Sequence, residues 1–365
     1  VSLAQSLITV SGAIVASGNT STLTLTAKDS SGNNLTSGGL TVLFGRSGGT
    51  STGNFSAITD NNNGTYTATF TGLVAGTATS ITSTIGGLFV TSALPTETVT
   101  PGSLSLSQTL ITVSSATISA TTSTNILLTA KDSAGNQLSA GGLTVSFSNA
   151  GGTSTGSFSA VVDNNNGTYS SVFTGIASGT ATIIHATVSS AAVTSTLPTI
   201  QVVPGASTAA NSTITVSSAT ATAGANVTLT LTARDAANNP ISSGGLSVVF
   251  NHTSGISSGT IGATTDNGNG TYTTTFSATT AGSATTIGAT IGGTSVSSTL
   301  PTITVSPAGV SLAQSSIGVS SGSVQSGSTV TLTLQAKDSF SNNLTSGGLT
   351  VLFARSGGVS SGTFS

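Results

Sequence analysis

The segment Asp60-Asn61-Asn62-Asn63-Gly64-Thr65-Tyr66-Thr67-Ala68-Thr69-Phe70 holds a turn and the strand that the turn launches. Asp and Asn hydrogen-bond their own backbone and tolerate left-handed dihedrals, and Gly supplies them, so 60–64 reads as a tight turn. From Thr65 onward Tyr66, Ala68 and Phe70 alternate with threonine, the period of a strand with one face in a core. The segment returns as Asp163…Gly167-Thr168-Tyr169 and Asp266…Gly270-Thr271-Tyr272, in steps of 103 residues. Lys28-Asp29 keeps the same step as Lys131-Asp132, Arg234-Asp235 and Lys337-Asp338. A fixed period of this length, with no insertion in any loop, denotes a tandem array of similar modules.

The period divides the chain into repeats at 1–102, 103–205 and 206–309, with a partial fourth at 310–365 that stops before its Asp…Gly-Thr-Tyr segment. About 100 residues is a common size for a domain with its own core. Val1-Ser2-Leu3-Ala4-Gln5-Ser6 recurs unchanged as Val310–Ser315, which suggests duplication of a three-repeat block. The chain begins with Val and has no charged leader followed by an apolar run, so it reads as a window from a longer mature protein. Completion of the half-repeat by a strand from a neighbouring chain is the other reading.

Within the first repeat, Leu23, Leu25 and Ala27 alternate with threonines, as do Leu40, Val42 and Phe44 with Thr41 and Leu43. Threonine suits the outer face because its branched Cβ favours extended backbone. Turn compositions at 31–34, 37–39 and 60–64 separate the runs, and no stretch keeps a helical period. About seven strands are expected, near 3–10, 20–29, 40–46, 53–59, 64–71, 76–86 and 87–99. The expected fold is therefore all-β: tandem immunoglobulin-like sandwiches arranged as a rod. In such a sandwich Asp60, Gly64 and Tyr66, with Asp163, Gly167, Tyr169 and Asp266, Gly270, Tyr272, form a structural corner. There the ring is packed and the hydroxyl bonded back to the chain. Cys and Trp are absent, so each core rests on aliphatic and Phe packing. Pro95 and Pro101, repeated as Pro198 and Pro204 and as Pro301 and Pro307, flank β-branched residues and form stiff inter-domain connectors.

Composition narrows the function. Charged residues are 4% of the chain, against about 25% in an ordinary soluble protein, and the net charge is −2. No basic patch is available for nucleic acid, and no apolar run spans a bilayer. Few charges on long Thr- and Ser-faced strands leave edges and faces open to contact, so lateral self-association into a homopolymer is expected, with glycan cover as the other resolution.

The residues at Ala27-Lys28-Asp29…Gly32-Asn33, Val42…Phe44, Asp60…Asn63-Gly64-Thr65-Tyr66, Ala75-Gly76-Thr77 and Gly86-Gly87 resemble the bacterial Ig-like repeat of the invasin and intimin adhesins. The Gly-Thr-Tyr and Ala-Gly blocks are also similar to filamin-type repeats. The resemblance covers the three full repeats and the start of the fourth. It implies a bacterial cell-surface stalk that carries a binding tip, although nothing in this sequence matches such a tip.

Sites of chemistry are few. Asp60, Asp163 and Asp266 are the calcium candidates, but each is a single carboxylate among amides, without the later bidentate Glu that a calcium loop uses. Lys28, Lys131 and Lys337 invite comparison with isopeptide-forming lysines, yet the third repeat has Arg234 there, and an exposed basic–acidic pair is the simpler reading. His185 and His252 occupy different positions in their repeats. No enzymatic constellation or cofactor motif emerges. The sequence is read as an extracellular structural protein, a fibre, sheath or stalk that self-assembles. A spacer for an adhesin tip or a phage fibre are the alternatives.

Overall fold

The computed structural model describes all residues, Val1–Ser365, and contains strands and no helix. Backbone contacts divide the chain into two units, Val1–Val203 and Pro204–Ser365. The first unit holds four sheets, two per repeat; the second holds two sheets and a two-stranded pair, Ser316–Val319 with Leu332–Gln335.

The first repeat shows the plan. Its strands are β1 (Leu7–Val10), β2 (Ile14–Ala16), β3 (Thr20–Thr26), β4 (Val42–Ser47), β5 (Thr52–Phe55), β6 (Thr59–Asp60), β7 (Thr65–Val74), β8 (Thr79–Ile85), β9 (Leu88–Phe89) and β10 (Thr96–Thr100). One sheet runs β1-β3-β7-β5 with β6 on β7, and the other runs β2-β10-β8-β4 with β9 on β8. The alternation in the sequence is what the register uses. Leu23 pairs with Ala68 and Leu25 with Tyr66, all facing inward, while Thr22, Thr24 and Thr26 face outward opposite Thr69, Thr67 and Thr65. From the other sheet Val42, Ile81, Ile85 and Val99 meet them to close the core. Tyr66, Phe70, Leu23, Leu25 and Ile81 are fully buried. Removing each such side chain from water contributes roughly 1.5–3 kcal/mol, which is how a sandwich without a disulfide stands.

Ten strand segments appear where seven are expected. The first expected strand, 3–10, begins only at Leu7, and the chain then changes sheet: β1 pairs antiparallel with β3, whereas β2 pairs in parallel with β10. The stretch 53–59 divides because Ser56 ends β5: its hydroxyl accepts from the Thr69 amide and donates to the Ala57 carbonyl. Pro95, which has no N–H to place in a ladder, separates β9 from β10 within 87–99.

The fourth repeat carries only the counterparts of β1 and β3. These two strands pair antiparallel, as β1 and β3 do in the first repeat.

Candidate functional site

Two constructions recur in the repeats, an internal corner and a joint. The corner begins where β6 turns into β7. Asp60 Oδ1 accepts the Asn62 amide at 2.9 Å, and Oδ2 accepts the Gly39 amide at 2.7 Å. Asn62 has φ 58°, a left-handed position that Asn tolerates. The Tyr66 ring is 1% exposed, and its hydroxyl accepts the Leu40 amide at 2.9 Å. The corner therefore fixes the loop at 39–40, just before β4, to the turn ahead of β7. Gly64 makes the approach possible: its φ is 82°, and a Cβ there would collide with the Leu35 carbonyl.

The other repeats build the same corner. The Tyr169 hydroxyl accepts from Leu143 at 3.0 Å and that of Tyr272 from Leu246 at 2.9 Å. Asp163 and Asp266 accept from Gly142 and Gly245, each at 2.6 Å, and also hold the turn amides of Asn165 and Gly268. Gly167 and Gly270 lie as close to Leu138 and Ile241 as Gly64 does to Leu35. Both oxygens of each calcium candidate thus accept backbone N–H groups, an arrangement that closes a turn. No group of three or more His, Cys, Asp or Glu comes together anywhere in the chain. His185 lies opposite Ser148 in its sheet, and His252 sits edge-on to Phe276 with its Nδ1 3.3 Å from Thr285 Oγ1.

The joint is built on Asp132 and Asn136. Asp132 Oδ1 accepts the amides of Ala134 and Asn136, both at 2.9 Å, forming the loop after its strand. Its Oδ2 accepts the Gly102 amide from the connector at 2.8 Å and the Asn136 Nδ2 at 2.8 Å. Asn136 then reaches into the first repeat, where Nδ2 donates to the Leu73 carbonyl at 2.9 Å and Oδ1 accepts the Ala75 amide at 2.9 Å. One side-chain amide therefore reads both polarities of the backbone at the end of β7. Connector residue Gly102 lies against the Ser17 carbonyl, where a Cβ would intrude.

The second unit contains the same joint. Asp338 Oδ2 accepts the Ala308 amide at 2.9 Å, and Asn342 takes the Thr279 carbonyl and the Ala281 amide, both at 2.8 Å. Asp235 likewise accepts from Gly205, Ala237 and Asn239. Asp132, Asp235 and Asp338 are at most 1% exposed. Burial pushes their carboxyls up, but the backbone and asparagine donors outweigh it and hold them below the usual aspartate range. Asp29, in the first repeat, is held down chiefly by its bond from Asn33 Nδ2.

The connector prolines lie at the ends of this system. The carbonyls of Pro95, Pro198 and Pro301 accept the amides of Ile81, Ile184 and Ile287, each at 2.9 Å, so these prolines are seated in their own repeats. Pro101 and Pro204 immediately precede Gly102 and Gly205, and Pro307 precedes Ala308, whose amides meet the three joint aspartates. A third device joins these. Ser51 is fully buried, and its Oγ accepts the Val99 amide on β10 at 2.9 Å; Ser154 and Ser257 do the same for Val202 and Val305.

The joint asparagines and these serines escape sequence reasoning as sites, although both recur at 103-residue steps, a signal that was present. The joint aspartates are conspicuous in the sequence, but as partners of Lys28 and its counterparts; the structure gives their oxygens to amides.

The model of the family described as "Invasin, domain 3" matches residues 2–102, 105–205 and 208–308. The chain belongs to this family. Among solved structures it is similar to the Escherichia coli adhesin FdeC, at 25% identity over 84% of this chain and 98% of that one, TM-score 0.48. It is also similar to Yersinia pseudotuberculosis InvD, at 20% identity over 83% of this chain and 98% of that one, TM-score 0.47. Invasin, described as a bacterial integrin-binding protein, matches at 19% identity over 91% of this chain and 68% of its own, TM-score 0.45. No curated protein matches the chain in sequence. With its family match and its paired sheets, this invasin-family chain is a series of Ig-like repeats, as its motifs led one to expect.

Proposed function

We propose that this invasin-family chain is the spacer stalk of a bacterial surface adhesin, which holds a binding region away from the cell. The joint carries this reading: Asn136 and Asn342 each grip the end of the preceding repeat through one carbonyl and one amide. A flexible tether would need no such grip, whereas a spacer gains reach from every joint that is held. The family membership supports a surface location, and the work of the chain is mechanical.

Lateral assembly into a fibre is the second reading. One observation favours it: Leu43 and Phe89, 62% and 64% exposed, lie on either side of Thr84 in one row across the outer face of a sheet. Electron microscopy of the full chain at high concentration separates the two readings. Single, unassociated chains support the spacer; ordered side-by-side arrays that disappear in a Leu43→Ser, Phe89→Ser variant overturn it in favour of the fibre.

A further inference from the structure

The core position filled by Ile200 and Ile303 in the second and third repeats is filled by Glu97 in the first. All three side chains are 0% exposed. Neither carboxyl oxygen of Glu97 has a hydrogen-bond partner. On the facing sheet Ser21 stands where the other repeats have Thr124 and Val227, and its hydroxyl is also buried and unpartnered. Burial pushes the Glu97 carboxyl up; the nearby Ser21 hydroxyl acts in the opposite sense but lies outside hydrogen-bonding geometry and does not outweigh it.

No cation is at hand to hold a charge there. Glu97 lies on β10, between β2 and β8, and faces β3 and β7 across the core. The sequences of β2, β3 and β8 contain no titratable side chain. The one on β7 is Tyr66, whose hydroxyl is engaged by the Leu40 amide. Arg46 on β4 aims its guanidinium at the Ser51 carbonyl, at 3.4 Å. A carboxylate taken out of water without a partner is far costlier than the neutral acid, so folding of this repeat favours the protonated form.

Strand β10 also has a special place in the chain. Its pairing with β8 consists of Thr96 with Ser80 and Glu97 with Thr79, so Glu97 sits in half of that short ladder. Two residues on, the Val99 amide is held by Ser51, and β10 ends at Thr100. Pro101 and Gly102 follow at once, and the Gly102 amide is the connector's bond to Asp132. Release of β10 therefore reaches the Gly102 bond, one hold of the joint, while the Asn136 bonds are made to the end of β7.

We propose that Glu97 is a proton switch: protonated, it seats β10 in the core, and on losing the proton it loosens β10 and the joint to the second repeat. The sign follows from burial. The native state binds the proton more tightly than the unfolded chain does. The stabilisation is therefore complete below the ordinary glutamate value of about 4.3 and is lost as pH rises from there through the folded-state value. Each unit of separation between the two values corresponds to about a tenfold change in the opening equilibrium. The second and third repeats, with isoleucine at this position, lack the switch.

Amide hydrogen exchange on the full chain tests this between about pH 4.5 and 8, a range in which ordinary aspartates stay ionised. After correction for intrinsic exchange, protection of 96–100 should fall with rising pH relative to 199–203 and 302–306. The Gly102 amide should follow it, while Ala308, its counterpart at another joint, should not. In Glu97→Ile the relative protection should be flat with pH and at least as high as in the parent at pH 4.5; in Glu97→Gln it should also be flat. A relative protection that does not change with pH in the parent overturns the proposal. So does a slope that survives in Glu97→Ile, which restores the residue of the other repeats and decides the matter even if Glu97→Gln fails to fold.

Discussion

Asn136 Oδ1 accepts the amide of Ala75, 61 residues earlier in the chain, at 2.9 Å, while the Nδ2 of the same side chain donates to Leu73. A planar amide that satisfies an N–H and a C=O two residues apart defines orientation as well as distance, because both bonds fail together if the repeats rotate. Asn136→Ala should therefore cost the joint about 1–3 kcal/mol, the range for leaving backbone groups without partners, and should leave each repeat folded. Residual dipolar couplings measured on the first two repeats within the full chain would report it, as would exchange at the Ala75 amide. Unchanged relative alignment and unchanged Ala75 protection would show that the bond is incidental. Asn136→Asp should be nearly as damaging, since it loses the donor to Leu73.

Asp132 makes the same joint sensitive to acid. Its carboxyl lies below the usual aspartate range despite burial, so its contribution is present above the unfolded value of about 3.9 and disappears as pH falls through the lower folded value. Acid should thus loosen the joint in the opposite sense to Glu97, and in a lower pH window. In Asp132→Asn the acid dependence of Gly102 exchange should vanish. The joint should also be weaker at neutral pH, because a second amide would face the donors Gly102 N–H and Asn136 Nδ2. An acid transition of the same size in that variant would assign it to another group.

Tyr66 offers a separate measure of the corner. Tyr66→Phe keeps the packed ring and removes only the acceptor for the Leu40 amide. The first repeat should lose about 1–2 kcal/mol, the cost of an unmade bond at a partly buried N–H. Tyr169→Phe and Tyr272→Phe should cost about the same in their own repeats. Urea unfolding followed by exchange at each repeat's core amides would show three matched losses; a loss confined to one repeat would mean that the corner is not the common element it looks.

The corner is legible in the sequence because its chemistry is local: Asp60, Gly64 and Tyr66 lie within seven residues, and Asp–Asn–Gly turns announce themselves. Its partners are not, since Gly39 and Leu40 lie 21 and 26 residues upstream and bond through backbone amides; Gly38 and Gly39 mark a turn there, but not that this turn meets Asp60. The same limit hides the joint. Asp132 is conspicuous beside Lys131, and adjacency suggests a charge pair, but burial favours neutral amides that bend around the carboxylate. Strand β2 escapes because Ile14-Val15-Ala16 is too short to display a period, and its sheet change depends on a parallel partner 84 residues away. Glu97 is visible as the single acid in the strand Thr96-Glu97-Thr98-Val99-Thr100, but only the closed sandwich shows that it is sealed from water.

Gly64 and Gly87 allow the corner's closest approach to be separated from simple backbone strain. Their φ values are 82° and 83°, so alanine would meet nearly the same intrinsic penalty at either, about 1 kcal/mol. At Gly87 the space where a Cβ would stand is open, whereas at Gly64 it is taken by the Leu35 carbonyl. Gly87→Ala should therefore lower the stability of the first repeat by about 1 kcal/mol, and Gly64→Ala by about 2–4 kcal/mol, because the turn must move away from Leu35. That movement should also lengthen the hydrogen bond from the Ala27 amide to the Gly64 carbonyl, now 2.9 Å, and raise exchange at Ala27 in this variant alone. Equal losses in the two variants would mean that φ, and not the contact with Leu35, explains the glycine at 64.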